Sequence, residues 1–113
     1  MKVALSSTGK NLDSNLSEVF ARCPYFIFAE IEKGEIKNFE AIENEFANQM
    51  GGAGISVSQF LAERRIEAVI CKNIGPRAFD VLSQFGIKIY QGEGTVKEAL
   101  EKFIEQKLEK FEK

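Results

Sequence analysis

The stretch AVICKNIGPRAFDVLSQFGIKIY, residues 68–90, decides how this chain is predicted to fold. It opens with three apolar residues, which is typical of a short strand covered on both faces, and it closes with the alternating residues 87–90, a second strand. Between them, Pro76 suits the first position of a helix and Gly86 suits the position just after a helix. A strand, a helix and another strand in this order predict two parallel strands joined by a right-handed crossover.

Two regular patterns precede this stretch. Residues 3–5 predict a short buried strand, and residues 25–31 and 36–42 predict two strands that a short turn joins into an antiparallel hairpin. Apolar side chains at helical spacing then predict a helix after the glycine-rich loop 48–54. The residues of this apolar stripe are Ala53, Val57, Phe60 and Leu61.

A C-terminal helix is predicted over about residues 95–112. Thr95 and Glu98 have the spacing of a capping box at its start. Its apolar stripe consists of Val96, Ala99, Leu100, Phe103, Ile104, Leu108 and Phe111. We interpret the charged residues 105–113 as the solvated face of this helix rather than as a binding tail.

These elements predict one α/β domain over residues 1–113, with a mixed five-stranded sheet flanked by helices that resembles the ribonuclease H-like motif. The first three strands form a meander, and only strand two runs against the other four. In this arrangement the glycine-rich loops and both cysteines meet at one edge of the sheet, where open α/β sheets bind ligands. The segments that meet there are residues 6–8, 22–24, 48–54, 71–75 and 91–95.

The composition excludes several classes of protein. The 113 residues include no histidine and only two cysteines, which excludes a Ser-His-Asp triad, a Cys-His pair and a four-ligand zinc site. The net charge of −2 comes without the clustered basic excess of a nucleic-acid-binding protein. The longest apolar run, residues 25–29, is far shorter than the roughly 20 residues of a membrane span. Because the N-terminus also lacks the apolar region of a signal peptide, we expect a cytoplasmic protein.

Enzymatic activity is not expected from this sequence. Metal-dependent phosphodiester hydrolysis needs several carboxylates that converge on adjacent strands, whereas the predicted strands 3–5 and 68–70 carry none. No loop contains a complete phosphate-binding or dinucleotide-binding glycine motif. These observations favour a binding protein over a hydrolase.

Three predicted helices begin at the edge where the loops converge. Gly51, Gly52 and Gly75 lie before two of them. The unpaired N–H groups and the positive dipole end of such a helix suit an anion, and Arg22 adds a cation nearby. The same glycines also permit tight strand-to-helix turns without any ligand, and this interpretation stays open.

The two cysteines are the candidate metal ligands. Cys23 lies between Arg22 and Pro24 in a loop that we expect to be exposed, where the neighbouring guanidinium favours the thiolate that binds soft metals. Cys71 closes an apolar strand. Free cysteines are commonly interior, so each thiol is alternatively a small packing residue. Two thiolates cannot enclose a metal cluster, but they can anchor one whose other ligands are its own sulfides.

Seven short blocks stand in an order and spacing that is typical of one family. They are LDS (12–14), FARCPYF (20–26), EN (43–44), GGAGI (51–55), NIGPRAF (73–79), GIKIY (86–90) and GTVKEA (94–99). Over about residues 1–104 the chain thereby resembles the dinitrogenase iron–molybdenum cofactor biosynthesis proteins of the NifX and NafY type. The resemblance implies a non-catalytic carrier with a ribonuclease H-like fold. Such a carrier holds an anionic iron–sulfur or molybdenum-containing cluster and works with cofactor-assembly proteins.

The chain departs from the family pattern at two places. Ala21 stands where the family usually has glycine, and residues 48–51 lack the histidine that some cluster-binding members carry there. The resemblance therefore implies cluster binding through Cys23, Cys71, Met50 or backbone groups. The candidate cofactor-binding residues are Arg22, Cys23, Gly51, Gly52, Asn73 and Gly75, and the candidate metal ligands are Cys23 and Cys71.

Two other functions stay open at this point. A regulatory module would bind a nucleotide or another small anion at the same loops. An accessory protein whose site has decayed would act only through contacts with other proteins. Visible spectra and metal content distinguish the cluster carrier from both, and thermal shifts with nucleotides test the regulatory module.

Overall fold

In a computed structural model that describes residues 1–112, three helices flank a mixed sheet of six strands. The strands are β1 (Lys2–Ser7), β2 (Tyr25–Glu32), β3 (Glu35–Glu43), β4 (Ala68–Cys71), β5 (Lys88–Gln91) and β6 (Glu109–Lys110). The helices are α1 (Ala53–Glu63), α2 (Pro76–Gln84) and α3 (Val96–Ile104), and a short 3₁₀ turn spans Phe20–Arg22. Within residues 1–112 no helix has the length and apolar content to cross a membrane.

The strand order is β3-β2-β1-β4-β5-β6. β1 pairs antiparallel with β2 and parallel with β4, and β5 continues the parallel part of the sheet. β2 and β3 form the expected antiparallel hairpin. Its turn residues Lys33 and Gly34 have φ of 52° and 76°, the left-handed conformation that a type I′ hairpin turn requires. The predicted directions of the first five strands are therefore confirmed.

Each face of the sheet carries its own apolar core. Along β1, Ala4 faces the core formed with α1 and α2, whereas Val3 and Leu5 face the core formed with α3. All three side chains are 0% exposed, and burying one of leucine size contributes about 1.5–3 kcal/mol. Because the central strand is covered on both faces, a ligand can reach β1 only at the ends of this strand.

The prediction of five strands and of a helix reaching residue 112 is wrong. Gln106 adopts a φ of 61°, and the Lys107 N–H donates to the Lys102 carbonyl at 2.9 Å, which ends α3 in a Schellman-type turn. The chain then returns as β6, the sixth strand, antiparallel to β5. Leu108 packs against one face of the sheet and Phe111 against the other, so their helical spacing does not reflect a helix. Of the charged segment 105–113, residue 113 lies outside the described residues.

Loops that are distant in sequence meet at the carboxyl edge of β1, β4 and β5. The Phe20 N–H donates to the Asn73 carbonyl at 3.1 Å, and the Asn44 N–H donates to the Pro24 carbonyl at 3.0 Å. These bonds join the segment before β2 to the loops that follow β4 and β3. The predicted convergence at one edge is therefore confirmed, and the candidate site lies there.

Candidate functional site

A groove of about 390 Å³ opens at this edge, between the 3₁₀ turn and the starts of α1 and α2. It is lined by Val19, Ala21, Arg22, residues 52–55 and residues 75–78. The two helices approach closely here, because a Cβ added at Gly54 would lie 3.2 Å from the Ala78 Cβ. A glycine at position 54 therefore lets both helix starts face the same space.

Neither helix start is capped by a side chain. α1 begins after Gly52, whose φ of 69° is left-handed, and α2 begins after Gly75 with Pro76 at its first position. The N-cap residues Gly52 and Gly75 have no side chain that could accept a hydrogen bond from the first turn, and no such bond from another side chain is seen within residues 1–112. The N–H groups of these turns and the positive ends of two helix dipoles are therefore available to an anion in the groove.

Arg22 is held in place by the loop that follows β3. Its Nη1 donates to the Ala47 carbonyl at 3.1 Å and also to the Gln49 carbonyl. A guanidinium has five N–H donors, and these two bonds use the two on Nη1. The three donors on Nε and Nη2 are left for a ligand, and Arg77, on the first turn of α2, adds a second guanidinium to the groove.

Side-chain amides fix the loop that holds Arg22. Asn44 is 6% exposed, and its Oδ1 accepts the Phe46 N–H at 3.0 Å. Its Nδ2 donates to the carbonyls of Ala21 at 3.0 Å and Cys23 at 2.8 Å. Asn44 therefore ties the end of β3 to the 3₁₀ turn. Nothing in the sequence indicated this structural role, because Asn44 lies between two glutamates and its sequence block, residues 43–44, contains no other clue.

Three predicted cofactor-binding residues, Cys23, Gly51 and Asn73, lie outside the groove lining. The Asn73 side chain donates to the Glu18 carbonyl at 3.1 Å, just before the 3₁₀ turn, and its role in cofactor binding stays a prediction. Gly51 is exposed, and its carbonyl accepts a hydrogen bond from the Gln49 side chain. Arg22, Gly52 and Gly75 do line the groove.

The sequence analysis missed Arg77. Arg77 could have been predicted from its position directly after Gly75 and Pro76. A side chain in the first turn of a helix can reach a ligand that is bound at that end.

The expectation that Cys23 is an exposed, activated thiol is wrong. Its side chain is 0% exposed, and burial raises the pKa of its thiol from 9.0 to about 12. The amides of Ser7 and Asn44 lower that pKa but offset only part of the effect of burial. Arg22 gives no opposing effect, because its guanidinium points to the loop carbonyls. Cys23 is therefore a protonated interior residue at neutral pH.

Cys71 lies in the same core as Cys23. It is also 0% exposed, and burial together with the charge of Cys23 raises its thiol pKa from 9.0 to about 12. Neither thiol lines the groove. Among residues 1–112, no three side chains of the His, Cys, Asp and Glu types come together as a metal site. The role of both thiols as cluster ligands stays a prediction.

Two larger depressions lie at the opposite edge of the sheet, near Gly34 and the end of α3. Their volumes are about 450 and 610 Å³. The larger is lined by four glutamates and by Lys102, so its potential opposes an anion. The groove is smaller, but it carries two arginines and two helix starts. We therefore assign the candidate site to the groove.

The profile of the family described as dinitrogenase iron-molybdenum cofactor matches residues 1–106. An uncharacterized protein from Methanocaldococcus jannaschii is 44% identical over 114 residues, which cover 99% of this chain and 97% of that protein.

Two solved structures are similar over nearly their whole length. A candidate NifB protein from Thermotoga has 40% identity and a TM-score of 0.81, with 99% of this chain and 97% of that chain covered. The apo form of the orange protein from Desulfovibrio gigas has 27% identity and a TM-score of 0.89, with 97% and 92% covered.

Proposed function

This chain belongs to the dinitrogenase iron-molybdenum cofactor family, and we propose from this premise that it is a non-catalytic carrier of an anionic iron–sulfur or molybdenum-containing cluster. The groove between the 3₁₀ turn and the starts of α1 and α2 is the proposed site. One similar structure is the apo form of the orange protein, and an apo form implies a ligand-bound one. The observation that carries the proposal is the meeting of two arginines and two uncapped helix starts in one groove.

The chemistry of the groove suits a metal–sulfur anion. Sulfides at the surface of such a cluster are negatively charged acceptors, and hydrogen bonds from charged donors to them are roughly twice as strong as neutral ones. Arg22 offers three free N–H donors, Arg77 offers a further guanidinium, and the first turns of α1 and α2 offer backbone N–H groups. A volume of about 390 Å³ falls in the ordinary range of ligand sites.

The lining of the groove also supports binding without catalysis. The side chains that face it are those of glycine, alanine, valine, isoleucine, proline and arginine. None of these lining residues offers a carboxylate, thiol or hydroxyl that could act as a nucleophile or general base at neutral pH. The groove therefore has groups that hold an anion and lacks groups that would transform it.

The proposed cluster is held by arginine and backbone N–H groups rather than by a thiolate. The sequence predicted Cys23 and Cys71 as candidate metal ligands, and that hypothesis requires the ligating thiols to leave the core and lose their protons. The groove donors need no such rearrangement. Replacing Cys23 therefore distinguishes the two hypotheses.

The fold motif, the cellular location and the partners of this chain are proposed by analogy with the family. We interpret the order β3-β2-β1-β4-β5, with only β2 reversed, as the predicted ribonuclease H-like motif, to which β6 is an addition. We propose that residues 1–113 act as one carrier domain in the cytoplasm, with cofactor-assembly proteins as partners and without binding nucleic acid.

Anaerobic reconstitution with iron, sulfide and tetrathiomolybdate tests the proposal. The measurements are metal bound per folded chain and the visible absorption of the bound species. We expect wild type to bind, Arg77→Gln and Arg22→Gln each to bind less, and the double variant to lose binding. Arg65→Gln is the matched control, because Arg65 lies beyond the far end of α1 and does not line the groove.

Three outcomes would contradict the proposal. The first is a wild-type chain that takes up no cluster, and the second is a folded double arginine variant that retains it. The third is a folded Cys23→Ser variant that loses the cluster while both arginine variants keep it, which would restore the thiolate hypothesis. Thermal stabilisation by a nucleotide without cluster uptake would favour the regulatory module instead.

A further inference from the structure

A second groove crosses the edge of the sheet opposite the proposed cluster site. It consists of the two depressions near Gly34, which are continuous because Gly34 and Ile104 line both of them. We call it the α3 groove, since the end of α3 forms a wall of each depression. The sheet is uncovered here because α3 ends at Ile104 and the left-handed turn at Gln106 sends the chain back into β6.

One half of the α3 groove is apolar. Four of its side chains pack against the core beneath α3 but stay half-buried, namely those of Ile31, Tyr90, Phe103 and Leu108. The rings of Tyr90 and Phe103 meet edge to face, with centroids 5.1 Å apart. The residues that line this half include no carboxylate. Such a surface favours an apolar group that displaces its water.

The other half of the α3 groove is acidic. Its lining includes four glutamates and one lysine, which leave a net charge of −3: Glu35, Glu98, Glu101, Glu105 and Lys102. Glu98 is engaged in the capping box of α3, and Glu105 lies 3.6 Å from Lys107. Glu35 and Glu101 are exposed and form no ion pair within residues 1–112. These two carboxylates are therefore available to the cations of a partner.

The charges at the two ends of the groove determine how an occupant lies. Lys110 carries the only charged side chain of the apolar half, and it lies on β6, four strands away from the β2–β3 turn at Gly34. Neighbouring strands lie about 4.8 Å apart, so the groove is roughly 19 Å long. About six extended residues span this length. Lys110 repels a cation at the apolar end, whereas the glutamates attract one at the other end.

We propose that the α3 groove binds an extended segment of a partner protein, with apolar residues at one end of the segment and basic residues at the other. The apolar side chains lie against Phe103 and Leu108, and the Lys or Arg side chains pair with Glu35 and Glu101. The surface shares no residue with the proposed cluster site, so a bound partner leaves that site open. The proposal does not rest on the cluster-carrier function.

Fluorescence anisotropy with defined peptides tests the proposal. The probe is a blocked, fluorescein-labelled hexapeptide of sequence Leu-Phe-Leu-Arg-Arg-Arg, used beside its reverse because a segment can enter in either chain direction. We expect one of the two to bind saturably, one per chain, and binding to weaken as salt rises. Replacing the three apolar residues of the probe by glycine should weaken binding by roughly 10-fold or more.

Two charge-neutralising variants locate the binding. Glu35→Gln/Glu101→Gln should weaken the affinity for the probe by roughly 5-fold, the expected effect of two exposed ion pairs. Glu45→Gln/Glu63→Gln is the matched control, because it removes the same charge from two glutamates outside the groove lining, and it should leave the affinity unchanged. All four side chains are exposed, so we expect both variants to fold.

A measurement on wild type keeps the test independent of the variants. Adding the probe should shift the amide NMR signals of Gly34, Phe103 and Leu108 and leave those of Gly52 and Gly75 in place. The proposal is overturned by a wild type that binds neither hexapeptide, by equal losses in the two glutamate variants, or by shifts confined to the cluster site. Equally tight binding of 4-phenylbutylamine would identify a small cation as the occupant and would also overturn it. Probe binding that persists in the double arginine variant would support a surface separate from the cluster site.

Discussion

Alkaline pH should destabilise this protein through its two buried thiols. Burial raises the pKa of Cys23 and of Cys71 from 9.0 to about 12 in the folded state. Below pH 9 both states keep these protons, and the thiols contribute no pH dependence. Between pH 9 and 12 the unfolded chain loses the protons that the folded chain keeps. Since the unfolded state then binds fewer protons, the free energy of unfolding falls as pH rises.

The expected size follows from the shift itself. At pH 10, one unit above the unfolded value, each thiol lowers the free energy of unfolding by about 1.4 kcal/mol. The two thiols together lower it by roughly 3 kcal/mol, an upper value because their charges interact. This is a large part of the 5–15 kcal/mol that is typical of a domain's stability.

Urea unfolding at pH 8, 9 and 10, with a reductant present, measures this effect. The matched control is the double variant Cys23→Ala/Cys71→Ala, which keeps every other titrating group. Its cavities lower stability by a constant amount, so the comparison uses the slope with pH and not the absolute value. We expect a steep fall for wild type and a much shallower one for the variant.

Equal slopes for the two proteins would refute the reasoning. The thiols would then titrate in the folded state as they do in the unfolded chain. Such a result would mean that water reaches Cys23 and Cys71, and it would remove the argument that burial keeps them protonated.

Three further predictions concern stability, each measured by urea unfolding. Gly92→Ala should cost about 1–3 kcal/mol by overpacking, because its Cβ would lie 2.7 Å from Ile70 Cγ2. Gly51→Ala, with open space around its Cβ, no left-handed φ and no capping position, is the neutral control, and an equal loss in both would contradict the steric cause. Thr95→Ala should cost about 1 kcal/mol by removing the capping box of α3, whereas Thr95→Ser should not. Gln106→Gly should raise stability by roughly 0.5–1 kcal/mol, since its φ is 61°, and a loss would show that its side chain matters more than its backbone.

Strand directions were predictable because they depend on local patterns. The hairpin follows from two strand-like runs around Lys33 and Gly34, and the parallel part follows from the stretch 68–90, where a helix must cross over. The edge at which the loops converge is a consequence of those directions alone. For this reason the sequence placed Arg22, Gly52 and Gly75 at the edge where the groove lies.

The errors arise where contacts between distant residues decide the outcome. Cys23 looked exposed from its neighbours Arg22 and Pro24, but Asn44, which is 21 residues away, bonds its carbonyl and draws the turn against the core. The apolar residues Leu108 and Phe111 fit a continued helix, yet they pack on opposite faces of the sheet. Local spacing contains no information about either contact.

The two carbonyls that hold Arg22 have a consequence for binding affinity. An arginine side chain that is free in solution loses up to roughly 2 kcal/mol of rotamer entropy when a ligand immobilises it. Here the bonds to the Ala47 and Gln49 carbonyls order the guanidinium before any ligand arrives. A free energy of about 1.4 kcal/mol corresponds to a tenfold change in affinity, so we expect this preorganisation to strengthen the proposed anion binding by about an order of magnitude. Substitutions that loosen residues 44–49 should therefore weaken binding in the groove without touching the ligand.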